Sequence, residues 1–175
     1  MTGVAIVISY EDISAGPAID ALLAATSDLR PLMEDIGAEL ESSTLDRFET
    51  NIAPDGTPWQ RSLHSMVTGQ PTLVDRGYLR DSVHYVLDGS DAVEVGAGGI
   101  AAAYAGMHQT GGVITAKGPG GLAFHLATGE FVNVQSVEIP ARPYVGLSSA
   151  DDQAILDIAF EHLARAAGAT FQGGV

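Results

Sequence analysis

The feature that most constrains the fold of this chain is the segment between Leu29 and Phe48, where apolar or small side chains recur every three or four residues. This period places them on one face of an α-helix and turns most of the intervening acidic side chains toward water. Ser27 can cap such a helix, and Pro31 is tolerated in its first turn. The face consists of Leu29, Met33, Ile36, Leu40, Thr44 and Phe48. The sequence therefore predicts a long N-terminal amphipathic helix.

Two β-hairpins are predicted after this helix, each from alternating side chains on either side of a turn sequence. The first joins Val83–Leu87 to Ala92–Gly96 through Asp88-Gly-Ser-Asp91, and the second joins Leu122–Ala127 to Phe131–Val137 through Thr128-Gly129. Val113 to Ala116 is expected to begin a further strand. Together these segments predict an α+β fold, in which an antiparallel or mixed β-sheet built on the two hairpins is packed by the long N-terminal helix and a C-terminal helix.

The remaining helical segments are shorter or lie near the end of the chain. Arg76–Asp81 has the pattern of a helical turn, and Ala101–Gln109 has that of a helix ended by a double glycine. Ser149 together with Asp152 is expected to cap the last helix. That helix carries Ile155, Ile158, Ala159 and Leu163.

A single structural domain is predicted over residues 1–170. Residues 51–75 are too long for an ordinary connection in a compact domain, so this loop is expected either to be disordered or to contact a partner. The glycine-rich loop 117–121 is expected to be flexible, and residues 171–175 are expected to fray.

The N-terminal residues Val4–Tyr10 alternate as an edge strand would, and Gly16-Pro17 is expected to open a short helix. No basic residue precedes this apolar run, which makes it a poor secretion signal. No stretch of the sequence approaches the length of a membrane-spanning helix, so no membrane role is expected.

The charge balance argues against a nucleic-acid-binding protein. Acidic residues outnumber Lys and Arg by 22 to 8, which gives a net charge of −14. Phosphate binding normally uses clustered basic side chains, whereas Lys117 is the only lysine. The chain contains no cysteine, which excludes disulfides and thiolate metal sites and fits a protein made in a reducing cytoplasm.

The side chains that could support catalysis or metal binding lie in patterns that do not favour either. The five histidines are far apart in the sequence and form no ligand pair such as His-x-x-x-His. The nucleophile motif Gly-x-Ser-x-Gly does not occur. The glycines between Gly96 and Gly99 lack the spacing of a phosphate loop and are better explained as turn residues. We therefore predict no catalytic residues, no metal and no cofactor.

His108 and Gln109 precede Gly111-Gly112, where the backbone can turn sharply. Imidazole and amide groups at such a place can bond exposed main chain, so His108 is interpreted as part of a structural hydrogen-bonding corner rather than as a catalytic base. A positive φ is expected at Gly111.

Arg142 lies between Pro140 and Pro143, which stiffen the backbone around it. In so acidic a protein this arginine is expected to find a carboxylate, in its own subunit or in a neighbouring one, with a DNA contact as a third alternative. Tyr144 is expected in the core. Trp59, the only tryptophan, is expected to pin its loop on the core or to dock into a neighbouring subunit.

Three motifs in this order resemble the phage virion-morphogenesis or tail-completion family of contractile-tailed and Mu-like phages. They are Pro54-Asp-Gly-Thr-Pro-Trp59, then Tyr104-Ala-Gly-Met-His-Gln-Thr-Gly-Gly112, then Ile139-Pro-Ala-Arg-Pro143. The resemblance runs from about Leu32 to the last helix. It implies a structural protein of the virion, with a fold like that of tail-terminator and neck proteins.

The resemblance also implies a place and a mode of assembly. A member of this family is expected to be made in the cytoplasm of the host bacterium and to form a ring at the head–tail neck, with a hexamer favoured over a dodecamer. Neighbouring neck, portal-adaptor or tail-tube proteins would be its partners, and DNA would pass through the lumen without specific binding. The structural or interface candidates are Trp59, Tyr104, His108, Gln109, Gly111, Gly112, Arg142, Pro143 and Tyr144.

Two alternatives remain open at the level of sequence. The first is a dodecameric head-closure or adaptor protein bound to the portal. The second, from a different class, is a small metal-dependent hydrolase that uses His108 and nearby acidic residues.

Overall fold

The computed structural model describes residues 27–166. The strand expected at Val4–Tyr10, the helix expected after Gly16-Pro17 and the fraying expected at 171–175 lie outside the described residues. Within residues 27–166, no helix combines the length and the apolar character that crossing a membrane requires.

The long helix predicted from the periodic segment is helix α1, Arg30–Thr50. It packs on the hairpin of strands β1 (Val83–Asp88) and β2 (Ala92–Ala97). Gly37 allows this close approach, because a Cβ at that position would lie 2.6 Å from the ring of Tyr85. The predicted helix and the first predicted hairpin are confirmed, and together they form the body of the protein.

Phe48 is at the centre of the core and is fully buried. Its ring packs edge-on against Trp59, with centroids 5.7 Å apart, and in a tilted arrangement against Tyr144, with centroids 5.3 Å apart. Leu79 and Val83 bring the start of β1 to the same cluster. The core therefore joins three segments that are distant in the sequence.

The segment 51–75 contains more regular structure than the sequence predicts. It includes helix α2, Leu63–Thr68, and a β-bridge between Ile52 and Pro58. Asn51, which ends α1 at a φ of 58°, accepts a hydrogen bond from the backbone N–H of the buried Thr72 at 2.6 Å. Side-chain hydrogen bonds of this kind hold the segment on the core, and a composition rich in Pro, Gly and Ser does not reveal them.

Short helical elements lie on either side of the first hairpin. A 3₁₀-helix at Arg80–Ser82 occupies the C-terminal end of the predicted helical turn. A second 3₁₀-helix, Gly99–Ala101, leads into helix α3, Ala102–Thr110, as predicted. The last helix is α4, Ser149–Ala166, which packs on α1.

The remaining four strands pair in two successive ladders that make up one two-stranded ribbon, residues 112–139, here named the β-arm. Strand β3 (Gly112–Thr115) pairs with β6 (Ser136–Ile139), and β4 (Leu122–His125) pairs with β5 (Phe131–Val134). The second predicted hairpin is thus present as β4 and β5.

The predicted strand Phe131–Val137 is interrupted at Gln135. There the carbonyl of Gln135 accepts a hydrogen bond from Ala116 N at 2.8 Å, and residues 117–121 form an insertion on one side of the ribbon. The α+β class is confirmed, but the strands form three two-stranded antiparallel ladders where one sheet was expected. Pairing of β3 with β6 makes the β-arm one long ribbon that does not join β1 and β2.

Candidate functional site

Gln109 joins the end of α3 to the segment after Pro143. Its side-chain Oε1 accepts hydrogen bonds from Tyr144 N at 3.0 Å and Val145 N at 3.1 Å, and its Nε2 donates to Val145 O at 2.7 Å. Three hydrogen bonds satisfy one amide side chain and hold two distant segments in register. The side chain that bonds main chain at this corner is therefore that of Gln109, and not the imidazole of His108.

Gly111 ends α3 with a φ of +70°, which agrees with the predicted positive value. A Cβ at this position would lie 2.7 Å from Ala141 N and 3.0 Å from Ile139 O. Both the backbone conformation and the close contact with main chain therefore require glycine. At Gly112 the nearest atom to a Cβ would be the flexible Met107 side chain, at 2.8 Å.

Arg142 lies against the corner and is only 6% exposed. Its backbone N–H donates to His108 O at 2.7 Å, and its side-chain Nε donates to Gln60 O at 2.8 Å. Among residues 27–166, no carboxylate forms an ion pair with it. Burial without a compensating negative charge lowers the pKa of this guanidinium. The intramolecular salt bridge that the sequence suggested is not formed within the described residues.

His108 and Tyr104 line a cavity of about 350 Å³ beside Arg142. The two rings pack edge-on with centroids 5.8 Å apart. Nδ1 of His108 is buried and has no hydrogen-bond partner within the described structure. Burial, and secondarily the positive charge of Arg142, lower the pKa of His108, so this imidazole is neutral near pH 7.

Trp59 is buried beneath this corner. Its indole Nε1 donates to Pro143 O at 2.9 Å, while its ring packs on Phe48. Of its two predicted roles, the structure shows the anchoring of its own loop to the core. Tyr144, which is 3% exposed, lies in the same core as expected.

A second buried arginine, Arg47, was not identified from the sequence. Its Nη1 donates to Tyr144 O and Gly146 O, each at 2.9 Å, and its Nη2 forms an ion pair with the buried Asp151. The α1 residue Ser43 also donates a hydrogen bond to Asp151. This network joins α1 to the start of α4.

The pKa of Asp151 reflects two opposing effects. Burial raises it, but hydrogen bonds from Ser148 and Ser43 and the charge of Arg47 together lower it below its ordinary value. Ser148 and Asp151 also form the cap of α4, because Ser148 N donates to Asp151 at 2.6 Å and Asp151 N donates to Ser148 Oγ at 3.2 Å. The predicted capping pair, Ser149 and Asp152, is thus wrong by one residue.

The other histidines do not gather around His108 in a ligand set. In the described part of the chain, no group of three or more His, Cys, Asp or Glu side chains is placed to hold a metal ion. His64 also lines the cavity, with its Nε2 at 3.6 Å from Asp75 Oδ1.

The β-arm exposes several large apolar side chains that the body does not cover. Val113 is 60% exposed and its neighbour Ile114 is 42% exposed, although adjacent strand residues point to opposite faces. Phe131 is 60% exposed near the far end. Both faces of the ribbon are therefore open, and no described helix packs extensively against it.

Comparison with known proteins gave one match. A family model described as the phage virion morphogenesis family matches residues 12–164. Neither the curated proteins nor the solved structures gave a match. The family match covers most of the chain and confirms the resemblance seen in the three sequence motifs.

Proposed function

The chain belongs to the phage virion morphogenesis family, and from that premise we propose that it is a structural subunit of a ring at the head–tail neck. In this role it completes the tail, joins it to the DNA-filled head, or does both. The proposal involves no catalysis and no cofactor. Its supporting observation, beyond the family, is the β-arm.

A two-stranded ribbon with both faces open is only marginally stable in water. The β-arm nevertheless carries Val113, Ile114 and Phe131 on its surface. Its outer backbone edges also present unpaired N–H and C=O groups, which can pair with a strand of another chain. An arm with these properties gains stability by packing on a neighbouring subunit, and repetition of that contact around an axis closes a ring.

A hexamer is the proposed ring, with neck, portal-adaptor or tail-tube proteins above and below it. Each subunit brings a net charge of −14. Acidic side chains on the lumen would repel the phosphate backbone, so DNA would pass without adhering to the wall. Fluorescence anisotropy with duplex DNA at low salt is expected to show no binding at micromolar protein, and saturable, salt-sensitive binding would contradict this part of the proposal.

Reconstruction of the neck by electron microscopy tests the ring directly. Hexameric density with each β-arm on the adjacent subunit is the expected result. A dodecamer on the portal would identify the alternative head-closure protein, and one or two isolated copies would exclude a ring.

Phe131→Ser tests the β-arm with a matched control, Phe160→Ser. The two phenylalanines are similarly exposed, at 60% and 64%, but Phe160 lies on α4. We expect both variants to fold, because neither ring is buried in the monomer, and only Phe131→Ser to reduce the number of joined particles. Equal effects of the two variants on joining would show that the β-arm has no special part in assembly.

A further inference from the structure

The cavity beside Arg142 contains hydrogen-bonding capacity that the described residues do not use. Nη1 and Nη2 of this buried arginine make no hydrogen bond to any residue in 27–166, and its side chain bonds only through Nε, to Gln60 O at 2.8 Å. Nδ1 of His108, which lines the same cavity, is also buried without a partner in the described structure. Burying polar groups without partners opposes folding. At this cavity one buried imidazole nitrogen lacks a partner and two arginine nitrogens have unused donors, and this combination indicates a role in binding.

The chemistry of the cavity favours a single carboxylate as the group it would bind. A guanidinium can donate two parallel hydrogen bonds to a carboxylate or a phosphate. The cavity measures about 350 Å³ and is lined partly by Leu73 and Tyr104, so it suits one side chain. Asp75 and Arg76 also line it and carry opposite charges, so Arg142 is left as the one uncompensated positive charge, which matches a singly charged carboxylate better than a phosphate dianion.

We propose that this cavity receives an Asp or Glu side chain from a second copy of the chain, whose carboxylate pairs with Arg142. This inference rests on the proposed ring, in which a head-to-tail contact brings a different surface of one subunit onto the cavity of the next. Acidic residues outnumber basic ones by 22 to 8, so a second copy offers many carboxylates and few competing bases. The pair would form only on assembly, which accounts for a buried arginine without a counter-charge among residues 27–166.

Zero-length crosslinking of Arg142→Lys in assembled particles tests the proposal. A carbodiimide joins a lysine amine directly to a carboxylate in contact with it. With a mixture of ¹⁵N-labelled and unlabelled subunits, we expect residue 142 to be joined to an acidic peptide of the other isotope. Unsubstituted protein gives the background from Lys117, its one lysine.

Arg165→Lys is the matched control for this experiment. Arg165 is exposed and pairs with Asp35 of its own chain at 3.2 Å, so its crosslinks should join peptides of the same isotope. If residue 142 gave only same-isotope crosslinks, including any to acidic residues in 1–26, the proposal would be wrong. Crosslinking of Arg165→Lys without any crosslink at residue 142 of Arg142→Lys would also overturn the proposal.

Arg142→Met supplies a second measurement that does not depend on lysine chemistry. We expect this variant to remain folded by circular dichroism and its incorporation into particles to fall at least tenfold, while Arg165→Met is incorporated normally. Normal incorporation of Arg142→Met, or its failure to fold, would refute the proposal. Failure of the proposed function is distinguishable, because unsubstituted protein would then form no ring in the particles.

Discussion

Arg47 and Arg142 are buried to the same extent, each with 6% of its surface exposed, but their surroundings differ. Arg47 has a buried carboxylate, two carbonyl groups and a serine hydroxyl as partners. Arg142 bonds one carbonyl through its side chain and has no carboxylate among the described residues. Removing one partner of a buried ion pair leaves an uncompensated charge and destabilises the fold, whereas an arginine with unused donors can still bind another group. The difference fits a folding role for Arg47 and the assembly role that we propose for Arg142.

The largest effect is expected at the paired site. Asp151→Asn should leave Arg47 buried without a counter-charge and lower the free energy of unfolding by about 3–5 kcal/mol. Urea denaturation measures this change. Asp35→Asn, which breaks the exposed pair with Arg165, is the control and should cost at most about 1 kcal/mol. A similar decrease in the free energy of unfolding in both variants would mean that the buried Arg47–Asp151 pair contributes no more to stability than the exposed Arg165–Asp35 pair.

The next effect concerns Gly111, which connects α3 to β3 and lies against the backbone of Ile139 and Ala141. Gly111→Ala should destabilise the protein by at least about 1–2 kcal/mol, because a left-handed φ disfavours a Cβ and the Cβ would press on Ala141 N. Gly106 lies inside α3 in open space, so Gly106→Ala should be neutral or stabilising by up to about 1 kcal/mol. Thermal unfolding compares the pair, and a loss at Gly106 as large as that at Gly111 would disprove the conformational argument.

Arg142→Met is expected to change the free energy of unfolding by no more than about 1 kcal/mol, since it removes one hydrogen bond and leaves no described carboxylate unpaired. Arg47→Met, the same substitution at the paired site, should cost about 3–5 kcal/mol because Asp151 loses its counter-charge. Denaturant titration of both variants tests the comparison directly. The contrast between the two arginines would be wrong if Arg142→Met lowered the free energy of unfolding as much as Arg47→Met.

The smallest effects are in the response to pH. The pKa of His108 is lowered in the folded state, so the unfolded chain binds the proton more tightly and stability falls as pH drops below the ordinary histidine value of about 6.5. His108→Gln should remove this part of the pH dependence. The lowered pKa of Asp151 acts in a more acidic window, where stability is lost below about 3.8, and Asp151→Asn should abolish that loss.

NMR titration of His108 in Arg142→Met gives a further check. Removing the positive charge should raise the pKa of His108 part of the way toward its ordinary value, while burial still holds it below that value. An unchanged pKa would show that the two groups do not interact across the cavity.

Much of the fold could be predicted where the signal is local. The three- and four-residue spacing from Leu29 to Phe48 predicted α1, since an amphipathic helix shows its buried face in its own sequence. The conformation of Gly111 followed from its position after a helix. At the last helix the local signal was ambiguous, because Ser148/Asp151 and Ser149/Asp152 have the same spacing, and contact of Asp151 with Arg47 favours the first pair.

By itself, the sequence determined the α+β class, the principal helices, the two hairpins and the family, all of which depend on local periodicity or on short motifs. Only the tertiary structure decided which arginine is paired with a carboxylate and that β3 pairs with β6 to form the β-arm. It also decided that Gln109 is the side chain that bonds main chain at the corner. The physical reason is distance along the chain: Arg47 and Asp151 are 104 residues apart, and no local pattern records their contact. Burial and pairing depend on what the fold places around a side chain, so two arginines of one chain acquire different bonding partners.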